Sequence, residues 1–532
     1  MRGAPVLPSF KPFRMSSPVS DSRRTYFLNI AWSWTALVAM LATSGIVMPV
    51  LIRRLGTSQY GIWVLAVSLV EYFWLIDFGV RPATVKLSAE FRAVNRTADL
   101  DSLINTGLAY TSIAGGFVLL VLWLNAARVG SLLRIDDPTF AFVVRVVAIS
   151  WATGLVCNVF AAVLEGFQRF DSTNRINILV TSLRGALSLV VVMAGYGLRE
   201  MAITLLISQA SGYLMTYLAC RRVYPSMKLS PAHVSRAMAG KIFVFVRQML
   251  SGIVGSRLSQ AGLPAVIAYF GPVRFVTYFT QTQRLLEYGA DVISRVAFVT
   301  APRISDWSAR GYRREIVALA RSANRYCLAC WGCLAAYLFV YGGQLCRVWI
   351  NEEYGNEAAV LMPIFLVGYT LWMGQFISAT VLMSTGRYTA FSLTLLGESL
   401  LVVAGVALVM PSLGLAGAAA VFSVCMIVSR AVVLSRLFAK EYELSQLDYV
   451  AAIYARPLAL IIASTIALLL CREGLLAGSN WAELIAAGLL HLTIYVAAGF
   501  WLVIEPEHRK YLIERWSFWR QYGSLDPNQP VR

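Results

Sequence analysis

Charged residues lie inside stretches that are otherwise almost wholly apolar, among them Arg145, Arg184, Arg247, Arg257, Arg284, Arg295 and Arg430, with Glu71, Asp77, Glu287, Asp291 and Glu398. If those stretches cross a membrane, each charge at mid-bilayer costs about 2.5–3.5 kcal/mol on insertion scales. Such side chains are expected to face a wet cavity or a partner. The stretch 275–300 has the sharpest pattern. At ~100° per residue, Gln281, Arg284, Glu287, Asp291 and Arg295 share one stripe ~120° wide. A lipid-facing helix cannot carry that stripe, whereas a cavity-lining helix can. The same residues also fit an internal ladder, Arg284 with Glu287 at i,i+3 and Asp291 with Arg295 at i,i+4. Both readings stand.

Arg257 falls near mid-depth of the stretch 242–264 and Arg247 nearer its start, with Gln248 and Gln260 adding hydrogen-bonding capacity. Arg184, in 176–197, fits a cavity or a structural pair with Glu71 or Glu398 equally well. Arg145 and Arg430 lie within two turns of the end of a stretch and read as snorkelling cations. Glu71 lies ~16 Å deep at ~1.5 Å rise per residue. A carboxyl there could bind a proton or Na⁺ for coupling, as could Glu287, Asp291 and Glu398. Asp77 has Arg81 at i+4 and reads as an interfacial salt bridge. Cys327, Cys330 and Cys333 do not converge as zinc ligands do, and no histidine follows at ligand spacing. They read as residues packing a membrane helix. A phosphate-binding glycine loop is absent from the sequence, so it does not describe a self-contained ATP-driven pump, and no cofactor is expected.

The elements that must position these groups follow from composition. Of 532 residues, 58% are apolar and 14% charged, and mean hydropathy is +0.64. Soluble chains carry roughly 45–50% apolar and about 25% charged residues, so a single soluble domain is excluded, as is disorder. At ~20 residues per crossing, the apolar runs predict fourteen spans: 26–51, 60–80, 104–125, 139–164, 176–197, 201–220, 242–264, 275–300, 326–346, 358–384, 388–410, 414–438, 453–471 and 482–504. The net charge of +18 reads as topological rather than as a nucleic-acid surface. With the N-terminus inside, the cytoplasmic segments, with Arg436 and Arg456 counted from the adjoining span ends, hold 31 Lys and Arg and the outer loops 8. Both termini are therefore expected in the cytoplasm. Residues 305–320 and 506–520 read either as amphipathic helices on the inner leaflet or as basic flanks.

A faint repeat relates Leu55-Gly56-Thr57-Ser58-Gln59-Tyr60, between spans 1 and 2, to Phe270-Gly271-Pro272-Val273-Arg274-Phe275, between spans 7 and 8. Six spans per unit make the repeat parallel. Leu55-Gly56 with Tyr60-Gly61, then Asp77-Phe78-Gly79-Val80 and Thr84-Val85-Lys86, resembles the first helix pair of the polysaccharide-biosynthesis flippases. These are the O-antigen and exopolysaccharide translocases of the multidrug/oligosaccharidyl-lipid/polysaccharide superfamily. The resemblance extends more weakly over 26–440. It implies an all-α polytopic membrane protein with two parallel six-helix lobes and two C-terminal helices around a central cavity. The expected divisions are a tail 1–25, an N-lobe 26–222, a linker 223–241, a C-lobe 242–440, spans 13 and 14 within 453–504, and a tail 505–532.

The resemblance also implies transport of a polyprenyl-pyrophosphate-linked glycan, in the inner membrane, with other polysaccharide-assembly proteins as partners. A pyrophosphate needs fixed cationic donors, and arginine supplies a planar fork that is always charged. Arg257 and Arg284 are the first choices, with Arg184 opposite them and Arg247, Gln281 and Arg295 beside them. Multidrug or cation antiport shares the implied architecture. A membrane glycosyltransferase or polymerase is disfavoured, since no loop is large enough for a catalytic domain.

Overall fold

The computed structural model describes residues 35, 41–71, 73, 79–135, 137–474, 477–511, 513 and 514, with the side chains of Glu71, 245–261, 295–299, Pro302 and Tyr388 excepted. Among the described residues there are helices and no strand. They are α1 (residues 41–55), α2 (Thr57–Glu71), α3 (Val80–Ala93), α4 (Thr97–Leu132), α5 (Pro138–Gly166), α6 (Phe170–Met193), α7 (Leu198–Val223), α8 (Arg236–Phe270), α9 (Arg274–Ala309), α10 (Arg313–Trp349), α11 (Glu352–Met373), α12 (Phe376–Ser384), α13 (Tyr388–Met426), α14 (Leu434–Glu441), α15 (Gln446–Gly474) and α16 (Trp481–Leu502). Nine helices among these residues are long and apolar enough to cross a membrane, and one of them, residues 389–441, covers two of the expected spans. The chain is a multi-pass helical membrane protein.

Helix starts follow local chemistry. Asp137 accepts from the Thr139 amide at 2.8 Å, with Pro138 in the first turn of α5. Asn351 caps α11 through the Tyr354 amide at 2.8 Å. These side chains satisfy amides that a helix start leaves unpaired. The short turn before span 6 is closed by Glu200, which accepts from the Gly197 amide at 3.0 Å.

Several boundaries differ from the expected ones. Residues 305–320 do not form a separate surface helix. Span 8 continues to Ala309, Gly311 turns the chain at φ +76°, and α10 begins at Arg313. Span 10 breaks into α11 and α12, and Asn324 of α10 accepts from the Ile377 amide at 2.7 Å across the break. Spans 11 and 12 remain two helices: Gly414, non-helical at φ 59° and ψ −150°, reverses the chain inside α13, so that a Cβ on Gly405 would stand 2.7 Å from Val421, and a π-helical turn, Ile427–Val433, interrupts span 12. The tail 1–25, Asp77 and residues 515–520 lie outside the described residues.

Helices α4–α7 pack on one another, and α8 with α10–α15 on the other side, the two groups meeting along α2, α8 and α9. The two repeat-related turns touch at that seam. Thr277 donates to the Thr57 carbonyl at 2.7 Å. A Cβ on Gly61 would stand 2.4 Å from the Val273 carbonyl oxygen. Arg53 donates to the Val348 and Ile350 carbonyls, and Trp349 to the Gly45 carbonyl at 3.1 Å. Thr57 and Tyr278 both bond Glu353. Side-chain bonds between the two groups thus gather at the end bearing residues 45–61.

Gly61→Ala tests that seam directly. Backbone cannot yield as a flexible side chain does, so overpacking here should cost about 1–3 kcal/mol and part the two turns. A cysteine placed at Thr57 should then label several-fold faster with a membrane-impermeant maleimide. Unchanged labelling would mean that the close approach does not seal this end.

Candidate functional site

One cavity of about 430 Å³ collects polar side chains from both helix groups. Its walls come from α1, α2, α6, α7 and α9, with Pro264 of α8. Helix α6 contributes Thr181, Arg184 and Ser188, spaced three and four residues apart so that they share one face. Helix α9 contributes Thr280, Gln281, Gln283, Arg284, Glu287 and Tyr288. Tyr60 of α2 stands within electrostatic reach of Arg184, Arg284 and Tyr288.

Within α9, Arg284 Nη1 donates to Glu287 Oε2 at 2.8 Å, and Gln283 Nε2 donates to Glu287 Oε1 at 3.1 Å. The guanidinium lies over the Tyr288 ring at 5.3 Å. Cavity lining and an internal ladder are the two readings that the spacing of this helix allows. Both hold for Arg284 and Glu287, because a pair at i,i+3 can close on itself while its outer edge remains in the cavity. The Arg284 side chain stays 49% exposed, so its remaining donors can reach an anion.

The structure brings Arg184, Gln281, Arg284 and Glu287 to this cavity. Asp291 is half-buried further along α9 and does not line it. The side chains of Glu71, Arg247, Arg257 and Arg295 lie outside the described residues, although their backbones are helical. Sequence reasoning left out Tyr60, Gln283, Tyr288, Thr181 and Ser188. The Thr181–Arg184–Ser188 spacing was a readable signal, being a polar stripe on an apolar helix.

Glu398 lies elsewhere, 4% exposed among the C-terminal group of helices. Arg430 Nε donates to its two oxygens at 3.1 and 2.9 Å, and Nη2 reaches Oε1 at 2.8 Å. Ser429 also donates to Glu398, and the Arg430 guanidinium covers Trp372 at 4.6 Å. Arg430 is therefore an ion-pair partner, not a snorkelling cation, and Glu398 is held by it rather than by Arg184. The π-helical turn makes this possible, since its wider i→i+5 winding aims consecutive residues 429 and 430 at one carboxylate. Tyr369 lies within electrostatic reach of Arg430, Glu287 and Arg284, linking this pair to the cavity wall. Arg145 is half-buried, donates to the Trp123 carbonyl at 3.2 Å and rests over the Trp123 ring at 5.6 Å, whereas Arg81 pairs with Glu165 at 2.6 Å.

No group of three or more potential metal ligands occurs among the described residues. A polytopic helical bundle with a polar, arginine-bearing cavity between two helix groups has the architecture of a membrane transporter. Residues 50–322, just over half the chain, match the polysaccharide biosynthesis protein family, and the chain belongs to that family.

It is 20% identical over 325 residues to the Shigella flexneri protein named "Putative O-antigen transporter", covering 60% of this chain and 75% of that one. Among solved structures, it resembles the lipid II flippase MurJ in an inward closed conformation, with a TM-score of 0.66 at 11% identity, over 89% of this chain and 99% of that chain. It also resembles an inward-facing multidrug resistance transporter of the MATE family and MOP superfamily, with a TM-score of 0.62 at 15% identity, over 76% and 98% of the two chains. At these identities the shared feature is the fold.

Proposed function

We propose that this chain flips a polyprenyl-pyrophosphate-linked oligosaccharide, an O-antigen, capsule or exopolysaccharide unit, from the cytoplasmic to the outer leaflet. It acts as a carrier rather than an enzyme. The observation that carries this reading is the placement of Arg184 and Arg284, from opposite helix groups, on one cavity. Two guanidiniums suit the oxygens of a pyrophosphate, while Gln281, Gln283, Thr181 and Ser188 supply hydrogen bonds of the kind sugars take. The polyprenyl tail stays in lipid. Arg257, by its sequence position, is a third cation for the same anion.

Alternating access follows if the two helix groups rock about the seam at Thr57 and Thr277. Family membership and the flippase-like fold support the reading. The excess of basic residues in one set of loops supports an inner-membrane protein with both termini in the cytoplasm. Glu71, Glu287, Asp291 and Glu398 are the candidates for coupling to a proton or Na⁺, and other polysaccharide-assembly proteins are expected partners.

Depleting the protein in its host and measuring polyprenyl-linked oligosaccharides by mass spectrometry tests the function. Accumulation of one intermediate, loss of the matching surface glycan and rescue by the intact protein are expected. An unchanged pool in a host without a second flippase would instead favour drug or cation antiport. That second reading draws on Glu287 in the cavity and on the fold shared with multidrug transporters.

A further inference from the structure

A second cavity, of about 470 Å³, opens well away from the first, at the end of the bundle where α3 and α7 finish and α5 turns into α6. Arg92, Arg169 and Arg222 line it, with Ser172 and the Phe167 ring. Arg92 is fixed in place. Its Nη1 donates to the Phe167 carbonyl at 2.7 Å, and its guanidinium covers the Phe167 ring at 4.9 Å. A guanidinium has five N–H donors, so that bond leaves others directed elsewhere. Arg169 is paired with Asp171 at 3.1 Å. Arg222 is exposed in the last turn of α7. Three cations therefore meet one carboxylate, and Ser172 places the first turn of α6, which itself favours an anion.

We propose that this cavity binds the phosphoryl headgroup of a membrane lipid. The apolar surface beside it selects a lipid over a soluble anion. Leu214, Leu218 and Arg222 recur every four residues, so they form one stripe along α7 that leads into the cavity. Leu214 is 59% exposed, Leu218 46%, and Phe170, at the start of α6, 41%. Acyl or polyprenyl chains lying along this stripe place a phosphate at the level of the three arginines. Basic pockets between the ends of membrane helices hold anionic headgroups in this way. The site is separate from the central cavity and stands whatever that cavity carries. Both a phospholipid and a polyprenyl phosphate offer the required group, and the probes below tell them apart.

The test uses the full-length protein in phosphatidylcholine nanodiscs doped with phosphatidylglycerol or with polyprenyl phosphate, with retained lipids counted by native mass spectrometry. Retention of a phosphorylated anionic lipid over phosphatidylcholine is expected, and the lipid held more tightly names the source. Arg222→Glu should cut that retention by at least about fivefold, the effect of one cation near a membrane surface. Arg222→Lys, which keeps a point charge but loses the fork, should fall between the two. Since Arg222 is exposed, both variants should fold, and an unchanged unfolding temperature checks this. Equal retention by wild type and Arg222→Glu, or no preference over phosphatidylcholine, would overturn the proposal. Displacement of the lipid by millimolar inorganic phosphate would overturn its lipid character and leave a soluble-anion site.

Discussion

Arg284→Ala should give a protein that inserts, accumulates to the normal level and exports no glycan. The side chain is half exposed in the central cavity and bound at 2.8 Å to Glu287. Its removal therefore leaves the packing of α9 intact and changes the charge of the cavity from both directions. It deletes a donor fork for the pyrophosphate and leaves the Glu287 carboxylate facing the incoming anion. Truncating one hydrogen-bonded charge at a desolvated contact costs about 2–5 kcal/mol, or roughly 30-fold to several thousand-fold in affinity.

Companion variants separate the two causes. If the freed Glu287 is the whole cause, Arg284→Ala combined with Glu287→Ala restores export. If Arg284 clamps the phosphates, the double variant stays inactive. Arg284→Lys should recover part of the activity, since it keeps a charge without the planar fork. Surface glycan and accumulated lipid-linked oligosaccharide are the measurements, with immunoblotting to confirm insertion. Normal export by Arg284→Ala would remove the clamp from the mechanism.

Breaking the Glu398–Arg430 pair should produce the largest loss of stability. Glu398 is almost fully buried and satisfied by Arg430 and Ser429 together. Glu398→Ala strips the counter-charge from a guanidinium that α13, the π-helical turn and Trp372 hold in place. Removing one partner of a buried ion pair costs about 3–5 kcal/mol, whereas replacing both with apolar residues of similar volume is often neutral. The purified Glu398→Ala protein should therefore unfold at a distinctly lower temperature. Glu398→Leu combined with Arg430→Leu should recover most of the loss. A double variant as unstable as the single one would show that these side chains stabilise by packing rather than by charge pairing. If Glu398 also takes part in ion coupling, the double variant will be stable and yet inactive, so stability and transport report on different roles.

The contrast between these two pairs shows what a linear reading can reach. Arg284 and Glu287 are three residues apart on one helix, so helical geometry alone brings them together. Glu398 and Arg430 are 32 residues apart, and their meeting depends on the chain reversal at Gly414 and the π-helical turn that re-aims Arg430. Neither has a period that an apolar run would reveal. Residues 305–320 failed for a related reason. Amphipathic spacing shows that a helix has two faces but not where it stops, and Gly311 set the break inside the segment. Tyr60 and Tyr288 join the cavity from different helices, and aromatic residues in membrane spans carry no mark that separates cavity from core.

The sequence by itself determined that this chain is a helical, multi-pass membrane protein and which spans carry charge. Composition and apolar run length suffice for that, because a bilayer demands long helices whose backbone bonds close internally. It also placed Gln281, Arg284 and Glu287 on one face of α9, since about 100° per residue sorts one helix's side chains without reference to any other, while leaving open whether that face meets a cavity or closes on itself. Only the tertiary structure decided which charges meet: Arg184 with Arg284 on one cavity, Glu398 with Arg430 in another core, Arg92 with Arg169 and Arg222 at the basic end. Those meetings depend on helix crossings, kinks and close backbone approaches such as Gly61 against Val273. Such contacts are properties of pairs of helices, and no periodicity within one helix encodes its partner.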